Sequence, residues 1–327
     1  MKPRDLVTGA SGLIGFEIVR QLLADGRSVV ALDSGFKGGM DDLDRLAERS
    51  NGELVVVRCD LSAARPHAPA ATGPFDCMYH LAAIVGVKYV NEQPWDTLRV
   101  NLRSTLFALE HAREVRARAV FFASSSENYA SGVDAGTVPI PTPEDVALSI
   151  GDIELPRWSY AASKIAGESA TFAMAREAGF APVVGRFHNV YGPRMPATHV
   201  IPELVARCVE GVDPLVVLGP EQTRSFLHVE DAARAVRLCM RAGMQGAGGV
   251  YHIGCGEETR IADLAELVLL ASGHRARIEP RPAPPGSVAR RVPNVAKLGR
   301  LGFAPTIGLE QGVRECVESA RARAAAR

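Results

Sequence analysis

Tyr160 and Lys164 stand four residues apart in Tyr160-Ala-Ala-Ser-Lys164, a segment that reads as helix, so their side chains share one face. A free tyrosine has a pKa of about 10 and is a poor base at neutral pH. An ammonium group nearby favours the phenolate and lowers that value. Such a tyrosine can take the proton of an alcohol as the carbon bearing it is oxidised. Upstream, Ser124-Ser125-Ser126-Glu127-Asn128-Tyr129 follows the apolar run Ala119 to Ala123. A hydroxyl there can relay the proton to Tyr160, and Glu127 adds a carboxylate. Taken alone, each pattern also has a plainer reading: a packed tyrosine with a solvated lysine, and serines that form a turn.

The elements that must position these groups begin at the N-terminus. The short apolar segment Asp5 to Thr8 runs into Gly9-Ala-Ser-Gly12-Leu13-Ile14-Gly15 and then an amphipathic stretch, Phe16 to Ala24. Strand, glycine turn and helix form the context of a dinucleotide site. Gly9 suits the tight turn, Gly12 leaves room for a pyrophosphate, and Gly15 lets the helix approach the strand. Leu13 and Ile14 open the helix, whose free N–H groups and dipole favour phosphate. The next apolar run, Ser28 to Asp33, ends in a carboxylate 18 residues after Gly15, where a ribose hydroxyl is bound. Asp33 repels a 2′-phosphate, so NAD is favoured over NADP, although Lys37 lies close enough to blur the preference. A nicotinamide cation beside Tyr160 would further favour its phenolate.

Composition narrows the remaining classes. The chain has 327 residues, with Lys plus Arg and Asp plus Glu both at 37, so a nucleic-acid or membrane-surface role resting on bulk charge is not expected. Six scattered cysteines show no metal spacing and read as buried thiols in a reducing compartment. No signal-peptide pattern or membrane-spanning run is present, and a cytoplasmic location is expected. Further strand and helix candidates alternate: a helix near Asp41 to Glu48, strand Leu54 to Arg58, strand Phe75 to His80, helix 93–116, strand Ala119 to Ala123, helix 160–179 and strand Val183 to Phe187. This is an α/β chain, expected to form a Rossmann-like doubly wound parallel sheet with a smaller C-terminal substrate-binding domain. The expected boundaries are 1–187 plus about 223–250 for the nucleotide domain, and about 188–222 plus 251–327 for the other.

The set Gly9-x-x-Gly12-x-x-Gly15, Asp33, Asp60-Leu61, His80-Leu81-Ala82-Ala83, Asn101, Ser124-Ser-Ser-Glu127, Tyr160-x-x-x-Lys164 and Arg186-Phe-His-Asn189-Val-Tyr-Gly-Pro193 resembles the extended short-chain dehydrogenase/reductases, within them the nucleotide-sugar epimerase/dehydratase/decarboxylase group. The resemblance covers nearly the whole chain. It implies that Asp60 and Leu61 contact the adenine, that Leu81, Ala82 and Ala83 line the cofactor, and that Asn101 is a cofactor-side contact. Ser125 matches the catalytic serine or threonine, Asn189 and Arg224 bind the substrate diphosphate, and Arg291 binds substrate. A homodimer through helices 93–116 and 160–179 is implied, and a UDP-sugar is favoured. Asn128 departs from the group's aliphatic residue and Ala130 from its glycine, so the loop to Gly151 is expected to differ in shape.

By the same resemblance, NAD oxidises the sugar, usually at carbon 4, and is restored within the cycle. A 4-epimerase then needs no further base, whereas a 4,6-dehydratase needs a base for the carbon-5 proton and an acid for the leaving 6-hydroxyl. A decarboxylase needs a uronic acid and groups that orient its carboxylate. Glu127 matches a glutamate of dehydratases and decarboxylases, with Ser126 at the dehydratase acid position. Pro156-Arg157-Trp158-Ser159-Tyr160 and Arg290-Arg291-Val-Pro293 resemble UDP-glucuronate decarboxylases, and Gly86-Val87-Lys88-Tyr89 resembles UDP-glucuronate 4-epimerases, with Lys88 a candidate for a uronate carboxylate. A net keto-sugar reductase and a non-catalytic NAD-binding regulator are the remaining alternatives.

Overall fold

Adjacent residues of the first strand, β1 (Arg4–Thr8), face opposite ways and are both fully buried. Leu6 joins an apolar cluster with Leu109 and Val120, while Val7 joins another with Ile18 and Phe121. Burial on both faces is why these strands are unbroken apolar runs. The structure, a computed structural model, describes residues 2–63, 68–196, 198–283 and 288–325. With β1, the segments β2 (Ser28–Asp33), β3 (Leu54–Arg58), β4 (Cys77–His80), β5 (Ala119–Ser125), β6 (Ala181–Phe187) and the late strand Gly249–Ile253 build one sheet. Its order is Gly249–Ile253, β6, β5, β4, β1, β2, β3, and every pairing is parallel. The late strand, absent from the elements named from sequence, returns to the sheet beside β6 after the helix Val229–Met244.

The helices in order are α1 (Leu13–Ala24), α2 (Met40–Glu48), α3 (Val87–Glu92), α4 (Pro94–Glu114), α5 (Ala130–Asp134) and α6 (Trp158–Ala178). α1 and Val229–Met244 cover one face of the sheet, and α4 packed against α6 covers the other. Strand order reverses between β1 and β4, and a crevice at the carboxyl ends of the strands follows from that reversal. A second, smaller core forms where helices Val200–Val209, Ile261–Ser272 and Leu309–Ala325 pack together beside the parallel pair Leu215–Leu218 and Ile278–Arg281. The fold is a Rossmann-like doubly wound sheet with a smaller lobe over the crevice. Among the described residues no helix is long and apolar enough to cross a membrane, and no cluster of His, Cys, Asp or Glu is placed to hold a metal.

Candidate active site

The crevice is a cleft of about 1760 Å³, against roughly 300–1,000 Å³ for a site that holds one small molecule. It has room for two ligands side by side. At its floor Gly9 takes φ +69°, and a Cβ there would stand 2.6 Å from the Ala82 nitrogen. A Cβ on Gly15 would stand 2.2 Å from the Gly9 carbonyl oxygen. No side chain caps α1 and no acidic residue occupies its first turn, so the N–H groups of that turn are left for an anion. Leu13 and Ile14 border the cleft here. Asp33 is fixed by the Ser11 and Gly35 backbone N–H groups at 2.9 and 2.8 Å, its carboxylate at the cleft wall. Asp60 and Leu61 follow on the same side, and Asp60 accepts from the Ser62 N–H and hydroxyl, both at 2.8 Å.

The wall formed by Leu81, Ala82 and Ala83 is set by a buried histidine. His80 Nδ1 pairs with the Thr8 hydroxyl at 2.8 Å, and that hydroxyl accepts from the Leu81 and Ala82 N–H groups, both at 3.2 Å. Burial, aided by Lys164, pushes His80 down to about 3 and keeps it neutral. Asn101 is placed behind this wall rather than on the cleft. Its Oδ1 accepts from Ile84 N at 2.7 Å, and its Nδ2 donates to Ile84 O at 3.1 Å and Ser163 Oγ at 3.2 Å. It brackets the loop at Ile84 and does not line the cleft.

Tyr160, Lys164, Ser125, Ser126 and Glu127 converge on the cleft. α6 presents Tyr160 and Lys164 from one face, and the 3₁₀ turn Ser126–Tyr129 at the end of β5 presents Glu127. Ser125 shares a hydrogen bond with the Tyr160 phenol and accepts from Glu127 N at 3.2 Å. Lys164 Nζ donates to the Ala123 carbonyl at 2.7 Å and lies 5.7 Å from the centre of the Tyr160 ring. The sequence expects this ammonium to lower the phenol. In this protein alone burial dominates and pushes Tyr160 up, the Ser125 hydrogen bond opposing it only in part. Burial likewise pushes Lys164 down to about 7, against the pull of Glu168.

Glu127 sits between two guanidinium groups. Arg291 donates to its Oε1 at 2.5 Å, and Arg157 Nη2 is 3.6 Å from Oε2. Burial raises the carboxyl, but Arg291 and then Arg157 more than offset that and hold it below the ordinary glutamate value. Strand pairing explains a second cluster. Arg290–Arg291 runs parallel to Thr223–Arg224, with Arg291 opposite Arg224. Burial first, and then the Arg291 charge, lower Arg224 to about 10. Asn189 borders the cleft beside them, at φ +36°, with its Nδ2 donating to Ser225 O at 3.0 Å.

Lys88 does not join the site. Val87, Tyr89, Val90 and Asn91 of α3 border the cleft, whereas Lys88 is exposed and does not line it. Lys37 is on the cleft instead, its Nζ donating to Val85 O at 2.6 Å while Phe36 meets Tyr89 edge-on at 5.6 Å. Burial lowers Lys37 to about 8. Arg194, not singled out from sequence, reaches from the smaller lobe to pair with Asp42, donates to Ser11 O at 3.3 Å and stacks 4.0 Å from the Phe16 ring centre. A composition reading has no signal for it, because its partners lie some 150 residues or more away in sequence.

The nearest context comes from known proteins. The chain is 33% identical to a UDP-glucose 4-epimerase of Mycolicibacterium smegmatis, over 96% of this chain and 97% of that one. It is 29% identical to a UDP-N-acetyl-alpha-D-glucosaminuronate decarboxylase of Bacillus cytotoxicus, over 97% and 98% of the two chains. The solved structure of a Thermus thermophilus UDP-glucose 4-epimerase in complex with NAD superposes with a TM-score of 0.79 at 28% identity, covering 97% of this chain and 99% of that one. A glycine cradle, an aspartate at the end of β2 and a Ser–Tyr–Lys set in one cleft agree with the family description that matches residues 6–254: this chain belongs to the NAD dependent epimerase/dehydratase family.

Proposed function

We propose that this protein remodels a nucleotide-activated sugar at its ring carbons by way of a 4-keto intermediate, and that Glu127 acts on that intermediate. The observation that carries the second half is the Glu127 carboxylate held ionised by Arg291 and Arg157 in the cleft that also holds Tyr160. NAD is the cofactor, and when bound it supplies a two-electron acceptor for the carbon being oxidised. The residues present fit it: the glycine cradle has no space for a Cβ at Gly9 or Gly15, α1 is left uncapped, and Asp33 offers carboxylate oxygens to a ribose. Tyr160 takes the sugar hydroxyl proton, Ser125 orients that hydroxyl, and Lys164 supports the phenolate. Arg224 and Asn189 bind the diphosphate and Arg291 binds substrate, whose negative charge offsets that of the two paired arginines.

Glu127 then takes the carbon-5 proton in a dehydration, and Ser126 beside it in the cleft donates a proton to the departing 6-hydroxyl, which leaves as water. A second reading, decarboxylation of a uronic acid, is favoured by the excess of guanidinium charge around Glu127, which a substrate carboxylate would neutralise. The discriminating experiment incubates the protein with a panel of UDP-, GDP-, CDP- and dTDP-sugars and weighs the products. Loss of water, reduced about a hundredfold by Glu127→Gln, supports dehydration, whereas loss of carbon dioxide supports decarboxylation. An unchanged mass with an active Glu127→Gln variant identifies a simple 4-epimerisation and removes Glu127 from the chemistry. A UDP-sugar is the favoured substrate. A homodimer through α4 and α6, whose outer side leaves Leu106 51% exposed, and a cytoplasmic location complete the proposal.

Lys37 and Phe36 tie the loop after β2 to the segment carrying Val85 and Tyr89, across the cofactor end of the cleft. Lys37→Met is expected to release NAD about fivefold faster, the loss of about 1 kcal/mol of hydrogen bonding. It is not expected to lose affinity for NADP beyond that for NAD, because the ammonium is committed to a carbonyl rather than offered to a 2′-phosphate. Stopped-flow displacement of bound NAD checks both.

A further inference from the structure

One side chain that the mechanism above leaves unused is the centre of a buried hydrogen-bond ring beside the site. Glu168 lies on α6 one turn beyond Lys164 and two beyond Tyr160, and it is 4% exposed. Its Oε1 accepts from Ser124 Oγ at 2.5 Å, Asn128 Nδ2 at 2.8 Å and Arg186 Nε at 2.9 Å, while Oε2 accepts from Arg186 Nη2 at 2.8 Å. Asn128 Nδ2 also donates to Ser124 Oγ at 3.0 Å, which closes the ring. Ser124 and Asn128 flank Ser125, Ser126 and Glu127. Asn128 is therefore no accident of loop sequence: with an aliphatic residue there the turn would lose its grip on Glu168. Ala130, two residues on, takes an ordinary helical φ of −58°, so a glycine is not needed.

We propose that Glu168 is a positioning residue, a buried carboxylate that locks the Glu127-bearing turn to the helix face carrying Tyr160 and Lys164, with Asn128 as its partner on the turn. The reaction's two halves arrive on different elements, β5 and α6, and a displacement of about 1 Å between them is enough to cost a large factor in rate. A charged carboxylate with four good donors in a dry setting resists such displacement far better than apolar contact. Glu168 has an electrostatic effect as well. Lys164 faces Tyr160 and Glu168 on its own helix, the neutral His80 from β4 and the Phe122 ring from β5, so Glu168 is the anion that favours its ammonium form.

The proposal rests on the reaction assigned above only for its rate measurements. The test uses the full chain as Glu168→Gln and Asn128→Leu. Hydrogen exchange of the peptide spanning 123–131 is expected to quicken about tenfold in both, with peptides from β1 and β2 unchanged. On the nucleotide sugar found active, kcat is expected to fall at least about tenfold with KM held within about twofold. In Glu168→Gln the alkaline limb of the kcat profile moves down by about one pH unit, because Lys164 loses its neighbouring anion; in Asn128→Leu it stays. Since Glu168→Gln leaves Arg186 buried beside a neutral amide, Asn128→Leu decides alone if the other does not fold. Unchanged exchange at 123–131, an unaltered kcat in Asn128→Leu, or loosening spread evenly over the sheet overturns the proposal. A wild-type chain inactive on every nucleotide sugar overturns the functional reading instead, and the exchange result still judges the positioning role.

Discussion

Tyr160→Phe is expected to lower kcat by about a thousandfold, the scale of a lost general base, while the protein still purifies with NAD. Phenylalanine keeps the ring that packs in the cleft and removes only the oxygen that shares a hydrogen bond with Ser125. Binding and chemistry therefore separate cleanly. The phenol's burial raises its proton affinity, so ionisation depends on positive charge brought close to the ring, and Lys164 is the resident source at 5.7 Å. Steady-state kinetics with the sugar identified above, together with the absorbance of cofactor released on denaturation, check the prediction. Near wild-type turnover would remove Tyr160 as the base.

Gly15→Ala is the second large effect, and its character is structural. The new methyl would lie 2.2 Å from the Gly9 carbonyl oxygen and 2.9 Å from its carbon, both backbone atoms of the turn itself. Neither can swing aside, so α1 must back away from β1, and a loss of about 2–3 kcal/mol is expected. Gly12→Ala provides the contrast. Its methyl meets only the Gly9 oxygen at 3.2 Å, so the fold tolerates it, but it projects where the pyrophosphate must approach. Thermal melting should fall clearly for Gly15→Ala and little for Gly12→Ala, while both lose NAD. Equal melting temperatures would contradict the close-packed turn.

These effects were legible in the sequence because their causes are local. A glycine turn is written in seven adjacent residues, and Tyr160 with Lys164 in five. Asp33 needed only the end of one strand. Three features resisted for a shared reason: they depend on what packs against a residue, not on its neighbours in the chain. Lys88 and Lys37 look alike as basic residues near the cleft, and only packing separates them: Lys37 lines the cleft and is tied to Val85, while Lys88 is exposed outside it. Asn101 has the right type for a ligand contact, yet its amide is wholly engaged in holding Ile84 and Ser163. The phenol's proton affinity moved opposite to expectation because the sequence reveals a nearby cation but not the depth of burial. Glu168 left a faint trace, a carboxylate at helical spacing from Tyr160 and Lys164, whose meaning appears only when Arg186 and Asn128 close around it.

The late arrival of Gly249–Ile253 has a consequence for synthesis. As the chain emerges from the ribosome, six strands can assemble once residue 187 is out, but the open flank of β6 waits for more than sixty further residues before its partner appears. During that interval its unpaired backbone groups can recruit a strand from another nascent chain. Stalling translation in this window should therefore favour aggregation, and release past Ile253 should relieve it.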